Sequence, residues 1–147
     1  MDHLVLSQPQ DLEQIAQLFN AYRIFYKQSS DLNAATQFIQ KRLQQQDSKI
    51  FVYKKDNQIF GFTQLYPTYS SISMKHAWIL NDLYVDEQHR QKGVAEALMQ
   101  HAIEFAKHTD AAYISLETCK TNLKAQALYK KLGFVPSTDM LFLSLTL

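Results

Sequence analysis

Apolar side chains first recur at helical spacing. Leu12, Ile15, Phe19, Tyr22 and Tyr26 lie three or four residues apart, which places them on one face of a helix. Pro9 and Asp11 just upstream suit the start of that helix, and His3–Leu6 ahead of them reads as a short strand. Asp31 and Asn33 offer a second helix start, continued by Ala35, Phe38, Ile39 and Leu43. The period then shortens. Ile50–Tyr53 is β-branched and aromatic, Asp56-Asn57 signals a turn, and Ile59–Leu65 reads as the next strand. Pro67 and Ser70-Ser71 interrupt the pattern before one long strand, Ile72–Val85, which holds the only tryptophan, Trp78. Short connections make these three strands an antiparallel meander. The last third alternates between the two periods. Gly93–His108 is helical, with Val94, Leu98, Ala102 and Phe105 on one face; Ala112–Thr118 is a strand; Asn122–Leu132 is a helix that stops at Gly133. Met140–Leu147 closes the chain as a strand in which Leu141, Leu143, Leu145 and Leu147 alternate with Phe142, Ser144 and Thr146. The order βααβββαβαβ predicts an α/β fold: one mixed, mostly antiparallel sheet flanked by helices.

Length and composition narrow the function. The chain has 147 residues, room for one hydrophobic core, so 1–147 is expected to be a single domain. A net charge of +1 without a basic run lacks the electrostatic footprint of a nucleic-acid binder. Lys54-Lys55, followed by Asp56, and the isolated Lys130-Lys131 read as solvated surface. The single cysteine, Cys119, permits no internal disulfide and fits a reducing, cytoplasmic setting. No apolar stretch approaches the roughly 20 residues of a membrane span, and Met1–Gln10 lacks the layout of a signal peptide, so no membrane association is expected. His101 and His108 are too widely spaced for a metal pair, no His-Glu-x-x-His occurs, and no metal is expected.

The stretch Leu80–Ala95 carries the chemistry. A strand runs into a polar loop, and the loop into a helix that starts on small residues. The first turn of a helix leaves backbone N–H groups unpaired and carries partial positive charge, which suits a phosphate. Gly93 and Ala95 leave room for close approach, and Arg90 and Lys92 add cationic donors. The chain has only three glycines, and one falls here. The loop is neither a Walker loop nor a dinucleotide fingerprint, because the further glycines of those motifs are missing.

Arg90-Gln91-Lys92-Gly93-Val94-Ala95 resembles the Arg/Gln-x-x-Gly-x-Gly/Ala signature of the GNAT superfamily of N-acetyltransferases. Downstream, Asn122 through Phe134 resembles the second signature of that superfamily: an asparagine, spaced alanines including Ala125, then Leu128-Tyr129 and Gly133-Phe134. The predicted element order is also that of the family. Tyr22–Tyr26, Gly61–Pro67 and Trp78–Leu83 are similar to the corresponding runs of a bacterial branch akin to the fungal Hpa-type histone, polyamine and amino-acid acetyltransferases.

The resemblance implies acetyl-CoA as co-substrate. It places the pyrophosphate against the backbone of Gln91, Lys92, Gly93, Val94 and Ala95 with Arg90 beside them, and the pantetheine arm along Leu83, Tyr84 and Val85, with Asn122 and Ala125 on the second signature. It implies that Tyr129 protonates the departing thiolate, that the strand before the loop carries a bulge, and that a backbone N–H of that bulged strand, such as that of Val85, polarises the thioester carbonyl. The proton of the incoming ammonium needs a base: Asp82, Glu117 or His76. Asp82 reads equally as an interior acid paired with a local lysine or arginine. The acceptor pocket is expected near Tyr22, Tyr26, Asp31, Tyr66 and Asn81, although Tyr22 and Tyr26 also fit an ordinary helix core. The implied partner is a small-molecule amine (polyamine, amino acid or aminoglycoside). Alternatives are a basic peptide presenting a lysine and a non-catalytic CoA-binding sensor. Relatives of this type imply a homodimer or higher homo-oligomer, with the apolar alternation of the last strand compatible with such an interface.

Overall fold

The computed structural model describes residues 2–147. The chain runs through β1 (Asp2–Leu6), a short 3-10 turn (Pro9–Asp11), α1 (Leu12–Phe25), α2 (Leu32–Gln45), β2 (Lys49–Lys55), β3 (Gln58–Ser70), β4 (Lys75–Val85), a second 3-10 turn (Glu87–His89), α3 (Val94–His108), β5 (Ile114–Ser115) and α4 (Leu123–Lys131). It divides into two compact units, Met1–Glu117 and Thr118–Leu147.

The first unit holds a five-stranded sheet in the order β1-β2-β3-β4-β5. The first four strands are antiparallel, and β5 joins β4 in parallel, as a helical crossover through α3 requires. This is the mixed sheet the sequence predicts. Residues along β2 alternate between two cores. Ile50 and Val52 pack with Ile15, Phe19 and Ile39 of α1 and α2. Phe51 between them meets His101 and Phe105 of α3, with ring centroids 4.8 and 5.1 Å apart. Helices thus cover both faces of β2. Gly61 on β3 sets the fit of α3 to the sheet. A Cβ there would lie 3.1 Å from the Tyr84 carbonyl oxygen and 3.2 Å from both Leu98 and Val94, so the missing side chain lets the first turns of α3 approach closely.

Several boundaries differ from expectation. β3 runs on through Pro67 to Ser70 because its pairing with β2 ends at Leu65; beyond that point it has a partner on one side only, where proline is tolerated. β4 begins at Lys75, since Ser71–Met74 form the turn, with the Met74 N–H donating to the Ser71 carbonyl and Met74 at φ +53. β5 keeps only Ile114 and Ser115 of the expected Ala112–Thr118. Among the described residues Met140–Leu147 carries no strand assignment: alternation prepares a strand, but a partner strand must complete it. Lys54 is not solvated surface. Its ammonium meets the buried Asp11 carboxylate, which also accepts the Gln8 N–H at 2.7 Å.

Candidate active site

Two features of β4 build the site. The first is a loss of partners. Pairing with β5 ends at Ile79 opposite Ser115, so residues 81–85 pair with no described strand other than β3. The Asp86 N–H donates to the Phe60 carbonyl at 2.7 Å. By the alternation of a strand, Val85 and Leu83 then turn their N–H and C=O groups toward the edge that β5 has left. The second feature is a bulge. Leu65 opposes Leu80 and Gln64 opposes Asp82, so Asn81 is the extra residue. Trp78 packs on Phe105 of α3, whereas Tyr84 packs near Tyr22 of α1. Six residues apart, they would share a face on a regular strand; the extra residue reverses the faces and turns Asp82 toward α1.

Asp82 is 3% exposed. Gln64 Nε2 donates to its Oδ2 at 2.6 Å and Asn81 Nδ2 to its Oδ1 at 3.1 Å. Ser48 Oγ donates to Gln64 Oε1 at 2.9 Å. The Tyr22 hydroxyl donates to the Asn81 carbonyl at 3.3 Å. Among the described residues no lysine or arginine is ion-paired with Asp82, so the structure gives this interior acid neutral partners in place of the cationic one its alternative reading expects. Burial pushes its pKa above the usual carboxylate range, and hydrogen bonds from Gln64, Asn81 and Tyr22 pull it back, since donors favour the ionised form. Tyr66 is pushed up to about 12 by burial and, second, by the negative charge of Asp82, with Asp47 adding to the rise and Arg42 opposing it.

The other acceptor-side candidates are spread out. Tyr22 and Tyr26 stand edge to face at 5.0 Å, and Tyr22 also meets Phe62; Tyr22 therefore serves the core and reaches the bulge at once. Asp31 caps α2, accepting the Ala34 N–H at 3.0 Å. Glu117 is exposed beyond β5. His76 lies at the other end of β4, about 20 Å from Asp82 at the rise of a strand, and its Nε2 is buried without a hydrogen-bond partner.

The loop after β4 is braced from both sides. Asp86 Oδ2 accepts the Gln88 N–H at 3.3 Å and holds His89 Nδ1 at 2.8 Å. The His89 ring stacks on Phe60 with centroids 3.7 Å apart. Arg90 Nε donates to the Val85 carbonyl at 3.0 Å, and its guanidinium lies over Tyr84 and Phe25. Arg90 thus fastens the loop to β4 and α1. Gly93 is the N-cap of α3 at φ +80, without a side-chain cap bond. A Cβ there would meet nothing within 4 Å, so conformation, not crowding by protein, demands glycine. An uncapped helix start beside an open strand edge fits a ligand with an anionic head and an amide-bearing arm. Sequence reasoning missed Phe60, His89 and Phe25, whose roles depend on contacts between elements.

In the second unit, Asn122 caps α4 by accepting the Ala125 N–H on Oδ1 at 3.2 Å, which directs any ligand contact to its Nδ2 end. Tyr129 is half-buried and meets Phe134 edge to face at 6.1 Å. Gly133, at φ +96, reverses the chain so that the Phe134 N–H reaches the Tyr129 carbonyl at 3.0 Å. Cys119 is exposed. Among the described residues no group of three or more His, Cys, Asp or Glu side chains is placed to hold a metal, and no helix is long and apolar enough to cross a membrane.

Comparison with known proteins adds to this geometry. The family model described as acetyltransferase (GNAT) matches residues 12–134. An uncharacterized N-acetyltransferase of Bacillus subtilis, YhfO, is 43% identical over 128 residues, covering 87% of this chain and 86% of that protein. The crystal structure of a probable acetyltransferase superposes with a TM-score of 0.94 at 36% identity, covering 99% of this chain and 97% of that one. A streptothricin acetyltransferase of Streptomyces lavendulae is 33% identical over 89 residues, 60% of this chain and 45% of its own length. These matches do not single out the narrower fungal Hpa-type branch.

Proposed function

This chain belongs to the acetyltransferase (GNAT) family, whose members are acetyl-CoA-dependent acyltransferases, and on that premise we propose that it acetylates a primary amine of a small molecule. The observation that carries this reading is Asp82, a buried acid whose partners are neutral donors. A buried carboxylate without a counter-ion is costly; a substrate ammonium would supply the missing charge, and tyrosine rings nearby suit a cation as well. The streptothricin acetyltransferase likeness gives a small-molecule acceptor a precedent, as a likeness to a putative ribosomal-protein alanine N-acetyltransferase of Bacillus subtilis, 31% identical over 99 residues, does for the peptide alternative.

In this reading the backbone of Gln91 to Ala95 holds the pyrophosphate, and the edge of Leu83 and Val85 pairs with the pantetheine arm. Asp82 takes a proton from the ammonium. The neutral amine attacks the thioester carbon; the C–N bond forms and the C–S bond breaks. A backbone N–H of β4, that of Val85, polarises the carbonyl oxygen. Tyr129 gives its proton to the leaving thiolate and regains one from the nitrogen by way of water. Asp82 returns its proton to water, so the reaction yields an amide, a thiol and one released proton.

A homo-oligomer belongs to the same reading. Met140, Leu141, Phe142, Leu143, Leu145 and Leu147 are each more than 75% exposed, and a second copy would cover them.

The test is thiol release from acetyl-CoA across polyamines, amino acids of both hands, aminoglycosides, streptothricin and histone-tail peptides. Turnover on one small-amine class with little on peptides is expected. Faster turnover on peptides would overturn the small-molecule reading.

A further inference from the structure

We propose that Gln64, anchored by Ser48, is a positioning residue that holds the Asp82 carboxylate for proton acceptance. The proposal rests on the reading of Asp82 as the base and goes one layer outward from it.

Gln64 is completely buried on β3, where a buried polar side chain needs its partners. Its amide has a donor end and an acceptor end, and both are engaged. The polarity of the chain follows from chemistry. An ionised carboxylate only accepts, so the group 2.6 Å from Asp82 Oδ2 is the Gln64 NH2. The amide oxygen then faces Ser48, which must donate, at 2.9 Å. A flipped amide would press oxygen against carboxylate oxygen and leave Ser48 facing an N–H. The carboxylate therefore selects the amide orientation, and Ser48, just before β2, anchors the oxygen end of the Gln64 amide in that orientation. Asn81 holds the other carboxylate oxygen, so both oxygens are tethered and the plane of the carboxylate is set. The Thr63 hydroxyl donates to the Asp82 carbonyl at 2.8 Å, fixing the backbone below it.

The remaining groups around Asp82 bear on its protonation. Tyr22 reaches it from α1, Tyr66 faces it from β3, and Arg42 of α2 and Asp47 act on Tyr66. None replaces the Gln64 donor, whose bond favours the ionised form against burial. During turnover the N–H bond of the ammonium breaks and an O–H bond forms on Asp82. The Ser48–Gln64 pair moves no proton; it keeps the acceptor oxygen aimed and ionised beforehand.

The experiment compares wild type with Gln64→Leu, Ser48→Ala, Ser48→Thr and Asp82→Asn. Two readouts are taken on each: a carboxyl carbon NMR titration of Asp82, where it is present, and the pH profile of kcat/KM with the panel amine that turns over fastest. Gln64→Leu is expected to move both the Asp82 titration and the acidic limb to higher pH by about one unit, a roughly tenfold loss of rate on that limb. Ser48→Ala should move both the same way by less, and Ser48→Thr should restore them. If Gln64→Leu does not fold, the two Ser48 variants decide. Asp82→Asn separates the two levels. Lost turnover in Asp82→Asn with an unmoved titration in Gln64→Leu and Ser48→Ala overturns the positioning role and leaves the base. Retained turnover in Asp82→Asn overturns the base and the positioning role with it.

Discussion

The two halves of β4 share one strand and do opposite work. Lys75–Ile79 is flanked by β3 and, at Trp78 and Ile79, by β5. Trp78 in this half is buried, and its Nε1–H donates to Thr109 Oγ1 at the end of α3, 3.0 Å away. Asn81–Val85 has a strand partner on one side only, contains the bulge, and turns inward an acid whose partners are neutral donors. Where the backbone is bonded on both sides, side chains are free to be core. Where one side is open and the register slips, the same strand offers donors, acceptors and a buried carboxylate to something else.

The comparison sharpens if mutations in the two halves fail in different ways. Trp78→Ala should cost about 3–5 kcal/mol of stability, the usual range for a large buried aromatic, with little change in turnover per folded molecule. Chemical denaturation paired with active-site-normalised kinetics checks both parts. Asp82→Asn should do the reverse: turnover should fall roughly 10²–10⁴-fold, the usual worth of a general base, with the fold retained. Its stability effect has a defined sign. Burial raises the folded pKa of Asp82 above its unfolded value, so the folded state binds the extra proton between the two. Wild-type stability, relative to Asp82→Asn, should therefore fall as pH rises from the unfolded pKa through the folded one, and level off above it. Thermal melts of both proteins across that range test this. A smaller effect is expected from Phe25→Ala, which removes one of the rings under Arg90. At about 0.5–1 kcal/mol for an exposed cation–π contact, acetyl-CoA should bind roughly two- to fivefold more weakly by calorimetry. A much larger loss would mean that Phe25 shapes the site by more than this contact.

Much of the fold was legible in periodicity. Leu12, Ile15 and Phe19 mark α1, and Val94, Leu98 and Ala102 mark α3, because both helices lay one face on a sheet. The loop at Gly93 was legible because glycine is scarce in this chain and φ +80 demands it. Other features depend on partners distant in sequence. Nothing local marks Asn81 as a bulge; the slip arises where β3 and β4 must match. Asp82 stood out as a candidate, yet its partner Gln64 did not, since Gln64 is 18 residues away and is itself anchored by Ser48. Lys54 looked like surface until the fold brought Asp11 to it. The close approach that Gly61 allows is visible only once α3 is in place. The last eight residues carry a strand pattern without a strand assignment among the described residues, and a pattern alone names no partner.

Amide hydrogen exchange along β4, with and without acetyl-CoA, tests the division of this strand most directly. The expected result is that acetyl-CoA slows exchange at Leu83 and Val85 and leaves Trp78, whose N–H already donates to the Tyr113 carbonyl at 3.1 Å, unchanged. Protection that rises evenly along β4, or no change at Leu83 and Val85 while the coenzyme is bound, would contradict the assignment of the open half as the acetyl-transfer edge.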